Sequence, residues 1–144
     1  MPNLAVVDAG PLIVLFNKKD PAHEQVRTKV ITFKKNHGHL ITTWPVITEA
    51  TYLLRRKVSS DAAFDLLQWI SLYGMQIFYL TVNHIHRMIT FQRKYRDCAM
   101  DFADASVLVA AEDNKTNQFF SLDFRDFKIY RLFKNKPLQN LIDP

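Results

Sequence analysis

Four carboxylates occupy places where a folded chain seldom leaves an acid without work. Asp8 follows directly on the apolar run Leu4-Ala5-Val6-Val7, and Asp123 follows Phe119-Phe120-Ser121-Leu122. Glu49 lies three residues after Val46 and four before Leu53, and Asp104 lies four before Leu108 and seven before Ala111. On helices those spacings place both acids on the apolar stripe. Each has an ordinary alternative. Asp8 could cap the helix that Pro11 opens, Glu49 could reach water or pair with Arg56, and Asp123 and Asp126 could serve a turn. Asp101, one turn before Asp104, has the look of an N-cap.

Taken together, two acids at strand ends and two on apolar helix faces converge on one mouth. Gathered carboxylates repel one another and hold their protons, a penalty that a hard cation relieves. Oxygen donors without His or Cys suit Mg²⁺ or Mn²⁺, which keep several waters and bind phosphate oxygens. The chemistry that follows is metal-assisted hydrolysis of a phosphodiester.

Positioning such a cluster requires strands that end together. The run at 4–7 does not alternate, so it reads as a strand buried on both faces. Leu40–Thr43, Met75–Leu80 and Gln118–Leu122 read as further strands, with Lys128–Leu132 as a possible fifth. Between them lie helical patterns at Leu12–Phe16, Pro21 to about Asn36, Pro45 to the basic triplet Arg55-Arg56-Lys57, and a helix capped by Ser59 or Ser60 and ended by Gly74. Two more run from Val82 to about Tyr95 and from Asp101 to about Asp113. In the helix after Ser60, Ala63, Leu66, Leu67 and Ile70 should face inward; Trp44, Trp69, Phe119 and Phe120 read as core, although Trp44 beside a strand end could stack on a base. Strands alternating with helices predict an α/β fold, a three-layer α/β/α sandwich around a mainly parallel sheet of four to five strands. Ligands of such sheets bind beyond the carboxyl ends of the strands, where Asp8 and Asp123 sit.

The chain has 144 residues, 48% apolar and 23% charged, with three glycines and six prolines and no low-complexity segment, so it reads as one domain over residues 1–144. No apolar run approaches the ~20 residues of a membrane span, and the Met1-Pro2-Asn3-Leu4 start lacks a signal-peptide pattern, so a cytoplasmic protein is expected. Cys98 is alone, which excludes an intrachain disulfide and a thiolate zinc site. A net charge of +5 and a pI near 9.4 favour a polyanionic partner. Lys18-Lys19, Lys34-Lys35, Arg55-Arg56-Lys57 and Arg93-Lys94 with Arg96 are solvated helix faces or the lining of a phosphate groove.

The pieces Val6-Val7-Asp8-Ala9-Gly10-Pro11-Leu12, Thr48-Glu49, Asp101-Phe102-Ala103-Asp104-Ala105-Ser106 and Ser121-Leu122-Asp123 with Arg125-Asp126-Phe127 resemble, in order, the motifs of PIN-domain nucleases. The likeness is greatest to the stand-alone VapC-type toxins of toxin–antitoxin pairs. It implies that Asp8, Glu49, Asp104 and Asp123 are the acidic set, with Ser121 standing where the family has Thr in a Thr-x-Asp motif. Asp101, Ser121 and Asp126 are accessory candidates. It further implies an Mg²⁺- or Mn²⁺-dependent endoribonuclease acting on RNA, a homodimer, and a small antitoxin that covers the site.

Two phosphoryl-transfer rivals fail on the residues. A dehalogenase-like domain needs Asp-x-Asp, but position 10 is Gly10; a receiver domain needs an acid pair after strand one, which is missing. Two alternatives stay open: a catalytically silent PIN-like RNA-binding or regulatory module, which loss of a carboxylate would favour although a complete acid set does not prove turnover, and an RNA-processing nuclease without an antitoxin. His84 and His86 point in nearly opposite directions on a helix, and Asn114-Lys115-Thr116 is a chance match to a glycosylation acceptor.

Overall fold

The computed structural model describes residues 3–142; Met1, Pro2, Asp143 and Pro144 lie outside them. Strand β1 (Asn3–Val7) is central, and its Ala5, Val6 and Val7 are buried as the unalternating run predicts. It pairs in parallel with β2 (Gly38–Thr43) on one side and β4 (Gln118–Phe120) on the other. β3 (Gln76–Phe78) extends the sheet beyond β2, and β7 (Gln139–Asn140) extends it beyond β4. The order is β3-β2-β1-β4-β7, all parallel, and helices cover the faces in an α/β/α arrangement.

The helices are α1 (Ala9–Leu15), α2 (His23–Lys35), α3 (Trp44–Lys57), α4 (Ser60–Ser71), α5 (Ile85–Lys94), α6 (Phe102–Asp113) and α7 (Phe124–Ile129). Helix α6 packs on β1, β2, α3 and α5, so it is apolar all round and Ala105 to Ala111 are buried. Ser59 caps α4 by accepting from the Ala62 amide at 3.0 Å. Helix α1 begins at Ala9, and the close approach of Leu122 explains Gly10: a Cβ there would stand 3.3 Å from the Leu122 Cβ.

Several expectations need correction. The strand expected at 128–132 is shorter: Lys128 and Ile129 are the last turn of α7, which Asp123 opens as N-cap, and Tyr130 closes that helix as a buried residue. Arg131–Leu132 does form a strand, β5, but it pairs antiparallel with β6 (Lys136–Pro137) outside the main sheet. The fifth strand is β7 instead. Strands β3 and β4 are shorter than read, and the helix expected from Val82 is split: a 3₁₀ turn at Val82–His84 precedes α5 because the His84 ring accepts from the Thr81 amide at 2.9 Å. Leu67 faces out at 43% exposed, since Ala62, Ala63 and Leu66 carry the buried face of α4 and position 67 lies ~100° around from Leu66 on the side away from Ala62. Phe119 and Phe120 are core, Trp69 is half-buried, and Trp44 is 49% exposed.

Candidate active site

Asp8 leaves the end of β1 with its amide donating to the Phe120 carbonyl at 3.0 Å, which ties it to the matching end of β4. It occupies the N-cap position of α1, yet its side chain makes no capping bond. The reason is local: a cap usually accepts from the second or third helical amide, and the third residue is Pro11, which has none. The carboxylate instead takes a backbone hydrogen bond from Ala9, and it is buried, 9% exposed. Its Oδ2 accepts from the Ser121 hydroxyl at 3.1 Å.

Ser121 joins two of the acids. Its Oγ also accepts from the Asp123 amide at 3.0 Å. Its backbone is clamped by Asn140 of β7, whose Oδ1 accepts from the Ser121 amide at 3.2 Å and whose Nδ2 donates to the Ser121 carbonyl at 2.8 Å. Asn140 escaped the sequence reading, and its one signal is a polar residue just before the apolar pair Leu141-Ile142. Asp123 itself caps α7, accepting from the Asp126 amide at 3.0 Å.

The α6 side is anchored through β2. The Thr42 hydroxyl donates to the Val7 carbonyl at 2.7 Å, and the Thr43 hydroxyl meets Ser106 at 2.6 Å while Ser106 donates to Ala103. These buried bonds fix the start of α6 beside Asp8. There Asp101 and Asp104 form a reciprocal capping box: Asp101 Oδ1 accepts from the Asp104 amide at 2.8 Å, and Asp104 Oδ2 from the Asp101 amide at 3.2 Å. The N-cap expected at Asp101 is confirmed. Glu49 on α3 is half-buried, and Arg56 binds Tyr52 at 2.7 Å, so Glu49 does not take the Arg56 partner that its spacing allowed.

Burial raises the pKa of Asp8, Glu49, Asp104 and Asp123 alike, and neighbouring acids push the same way. Asp8 feels Asp123 and Asp101, Glu49 feels Asp101 and Asp8, and Asp104 feels Asp101 and Asp8. The Asp104 carboxyl is pushed up to about 8. The structure thus brings the four acids and Asp101 into one electrostatic unit with Asp8 at its centre, while Asp126 acts on Asp123 from one turn away. Among the described residues, no three Asp, Glu, His or Cys side chains stand close enough to cage a cation unaided. Mg²⁺ needs only one or two direct carboxylates and keeps waters elsewhere, so the donor chemistry fits an open, partly hydrated ion.

A pH dependence follows from this. A folded acid with a raised pKa holds its proton while the unfolded chain has already released it, so stability falls as pH rises between the ordinary value near 3.8 and about 8 for Asp104. In chelator the melting temperature should therefore drop from pH 5 to pH 8, and Asp104→Asn should flatten much of that slope. A melting temperature that climbs across the window would contradict the site electrostatics. Asp113, held low by Arg87 and His84 after its own desolvation, works in the opposite sense and only below the usual carboxylate range.

Residues 5–132 match the family model for the PIN domain. This chain belongs to the PIN domain family. Among curated relatives, this PIN domain is 24% identical over 126 residues to Ribonuclease VapC26 of Mycobacterium tuberculosis, covering 88% of this chain and 91% of that protein. Among solved structures, it is similar to Mycobacterium tuberculosis VapC20, described as a sarcin–ricin-loop-cleaving toxin, with a TM-score of 0.72 and 17% identity over 85% of this chain and 92% of that one. It is also similar to VapBC2 from Rickettsia felis, solved with a promoter DNA fragment, with a TM-score of 0.68 and 13% identity over 95% and 98%. The fold of this PIN domain is thus that of VapC-type proteins, and no described helix is long and apolar enough to cross a membrane.

Proposed function

We propose that this PIN domain is an endoribonuclease that uses Mg²⁺ or Mn²⁺, and the toxin of a toxin–antitoxin pair. The observation that carries the reading is Asp8: a buried carboxylate at a strand end that makes no helix-capping bond, is met by the Ser121 hydroxyl and the Ala9 backbone, and is pressed by other acids. Such a group is costly unless a cation joins it. Asp8, Glu49, Asp104 and Asp123 would hold the ion, with Asp101, Ser121 and Asp126 supporting them. The ion, when bound, supplies positive charge to the phosphate and acidifies a water.

The chain's own residues supply orientation. Ser121 keeps the Asp8 oxygen and the Asp123 backbone in register, Asn140 holds Ser121, and the Asp101 cap sets the start of α6. Glu49, half-buried and raised in pKa by burial and by Asp101 and Asp8, would give up its proton to join the other acids in holding the ion. The Arg55-Arg56-Lys57 end of α3 supports the rest of the polyanion. The antitoxin is expected to present a Lys or Arg to the acidic mouth. A homodimer is expected to cover the exposed stripe Val82, Ile85 and Ile89, which shares one side of α5 and the turn before it. Incubating the protein with a mixed single-stranded RNA, in Mn²⁺ and in chelator, tests the proposal. Internal cuts in Mn²⁺ only are expected; an uncut pool in both overturns it.

Trp44 bears on the substrate. Exposed at the start of α3, it lines an open cleft with Tyr52 and Phe102, and Glu49 and Asp101 form the acidic side of that cleft. An unpaired base stacked there would bring its phosphate to the acids, and stacking is worth ~1–3 kcal/mol per base. Trp44→Ala should thus weaken binding of a single-stranded oligonucleotide by about tenfold or more, with Trp44→Phe in between, measured by fluorescence anisotropy on the Asp8→Asn background. Unchanged affinity would remove Trp44 from the substrate path.

A further inference from the structure

Helix α3 leaves one of its faces uncovered. Trp44, Thr48, Tyr52 and Arg56 are all exposed and recur every four residues, so they stand one above the next along the helix, each ~40° further round it. Val46, Ile47, Ala50 and Leu54 bury the opposite face in the core, which fixes this ridge outward. The ridge walls an open cleft of about 650 Å³, lined by Trp44, Thr48, Glu49 and Tyr52 of α3 and by Asp101, Phe102 and Ala103 at the start of α6. One end of the wall therefore lies at the acids, and the other at the exposed triplet Arg55-Arg56-Lys57.

Tyr52 is 56% exposed and Phe102 46%, beside the half-exposed Trp44. Three large rings left open around one cleft suit a ligand with flat apolar faces. The Arg56 Nη1 donates to the Tyr52 hydroxyl at 2.7 Å, and its guanidinium carbon lies 5.6 Å from the centre of that ring. This bond uses one guanidinium donor and leaves the rest of the planar fork, which matches a phosphate.

Charge and spacing identify the occupant. Flat faces next to a cationic fork suit the bases and phosphates of a nucleic acid. Trp44 and Tyr52 are ~12 Å apart along the helix axis, several times the ~3.4 Å between stacked neighbouring bases. An extended single strand can place one base on each ring; a duplex, whose bases stack on one another, cannot.

We propose that α3 carries a second nucleotide subsite: an RNA strand leaves the acid mouth at Trp44, runs along the helix, stacks a further base on Tyr52 and gives its phosphate to Arg56, which the Tyr52 hydroxyl holds in place. The inference deepens the ribonuclease reading above and rests on it, naming the substrate as RNA unpaired for several nucleotides beside the cut.

Fluorescence anisotropy on the Asp8→Asn background tests this with a labelled single-stranded octanucleotide and with an abasic strand of the same length, which keeps the phosphates. Tyr52→Ala should weaken the octanucleotide about tenfold or more, the scale of one lost base stack, and should bind the abasic strand nearly as its parent does. Tyr52→Phe should lie between, since it keeps the ring and releases the guanidinium. Arg56→Gln should flatten the fall of log affinity with log salt by about 0.7, one phosphate contact of a single strand. Unchanged octanucleotide affinity in Tyr52→Ala overturns the inference, and so does an equal loss on the abasic strand. A changed molar mass of Tyr52→Ala in light scattering also overturns it, because the ring would then face a second copy of this chain. No binding of either strand by the Asp8→Asn parent overturns the ribonuclease reading itself, a failure distinct from that of Tyr52 alone.

Discussion

Asp8→Asn is expected to lower RNA cleavage by at least ~10²-fold, the scale on which removing one preorganised electrostatic group from an active site acts, while the protein in chelator becomes more stable. Asn has nearly the same shape, and its Oδ1 can still accept from the Ser121 hydroxyl that now meets Asp8 at 3.1 Å. What disappears is a buried charge. The wild-type carboxyl is raised above the ordinary value by burial first and by Asp123 and Asp101 after it, so it opposes folding increasingly as pH rises through that range. The amide has no such dependence, and the stability difference should widen from pH 5 to pH 8. Melting curves in chelator, set beside cleavage of a labelled RNA, separate the two effects. An Asp8→Asn protein as active as the wild type would end the metal account.

The second large effect distinguishes two acids three residues apart. Asp104→Asn should also lose about 10²-fold or more in cleavage, yet keep its helix, because the Asn oxygen can accept from the Asp101 amide as the Asp104 oxygen does at 3.2 Å. Asp101→Asn should leave stability almost unchanged, since Asn caps about as well as Asp; Asp101→Ala should cost ~1 kcal/mol through the lost bond to the Asp104 amide. Cleavage should fall only modestly in both Asp101 variants. The charge of Asp101 does act on Asp8, Glu49 and Asp104, so the comparison is a demanding one. If Asp101→Asn proves as inactive as Asp104→Asn, the site uses five acids and the cap is a second task of the fifth.

The acids were legible because they broke a pattern. A carboxylate directly after Val6-Val7, or on the stripe with Val46 or Leu108, is conspicuous in one dimension, and the parallel sheet follows from runs that do not alternate. The region after Asp123 was misread for the opposite reason. Lys128–Leu132 looks like a strand by composition, but the Asp123 cap and the Phe127–Tyr130 spacing favour a helix of six residues, too short for periodicity to announce. β7 has two residues, and its pairing is fixed by tertiary bonds such as Asn140 to Ser121, a contact spanning 19 residues.

Direct Mn²⁺ binding, followed by electron paramagnetic resonance of the free ion in wild type, Asp8→Asn and Asp104→Asn, bears most closely on the central claim. Metal and protons compete for the same carboxylates, and Asp104 holds its proton up to about 8. Wild-type protein should therefore bind Mn²⁺ more tightly at pH 8 than at pH 6, releasing protons as it does so, and both variants should bind far more weakly at either pH. Equal Mn²⁺ affinity in all three proteins, with no pH dependence, would contradict the account.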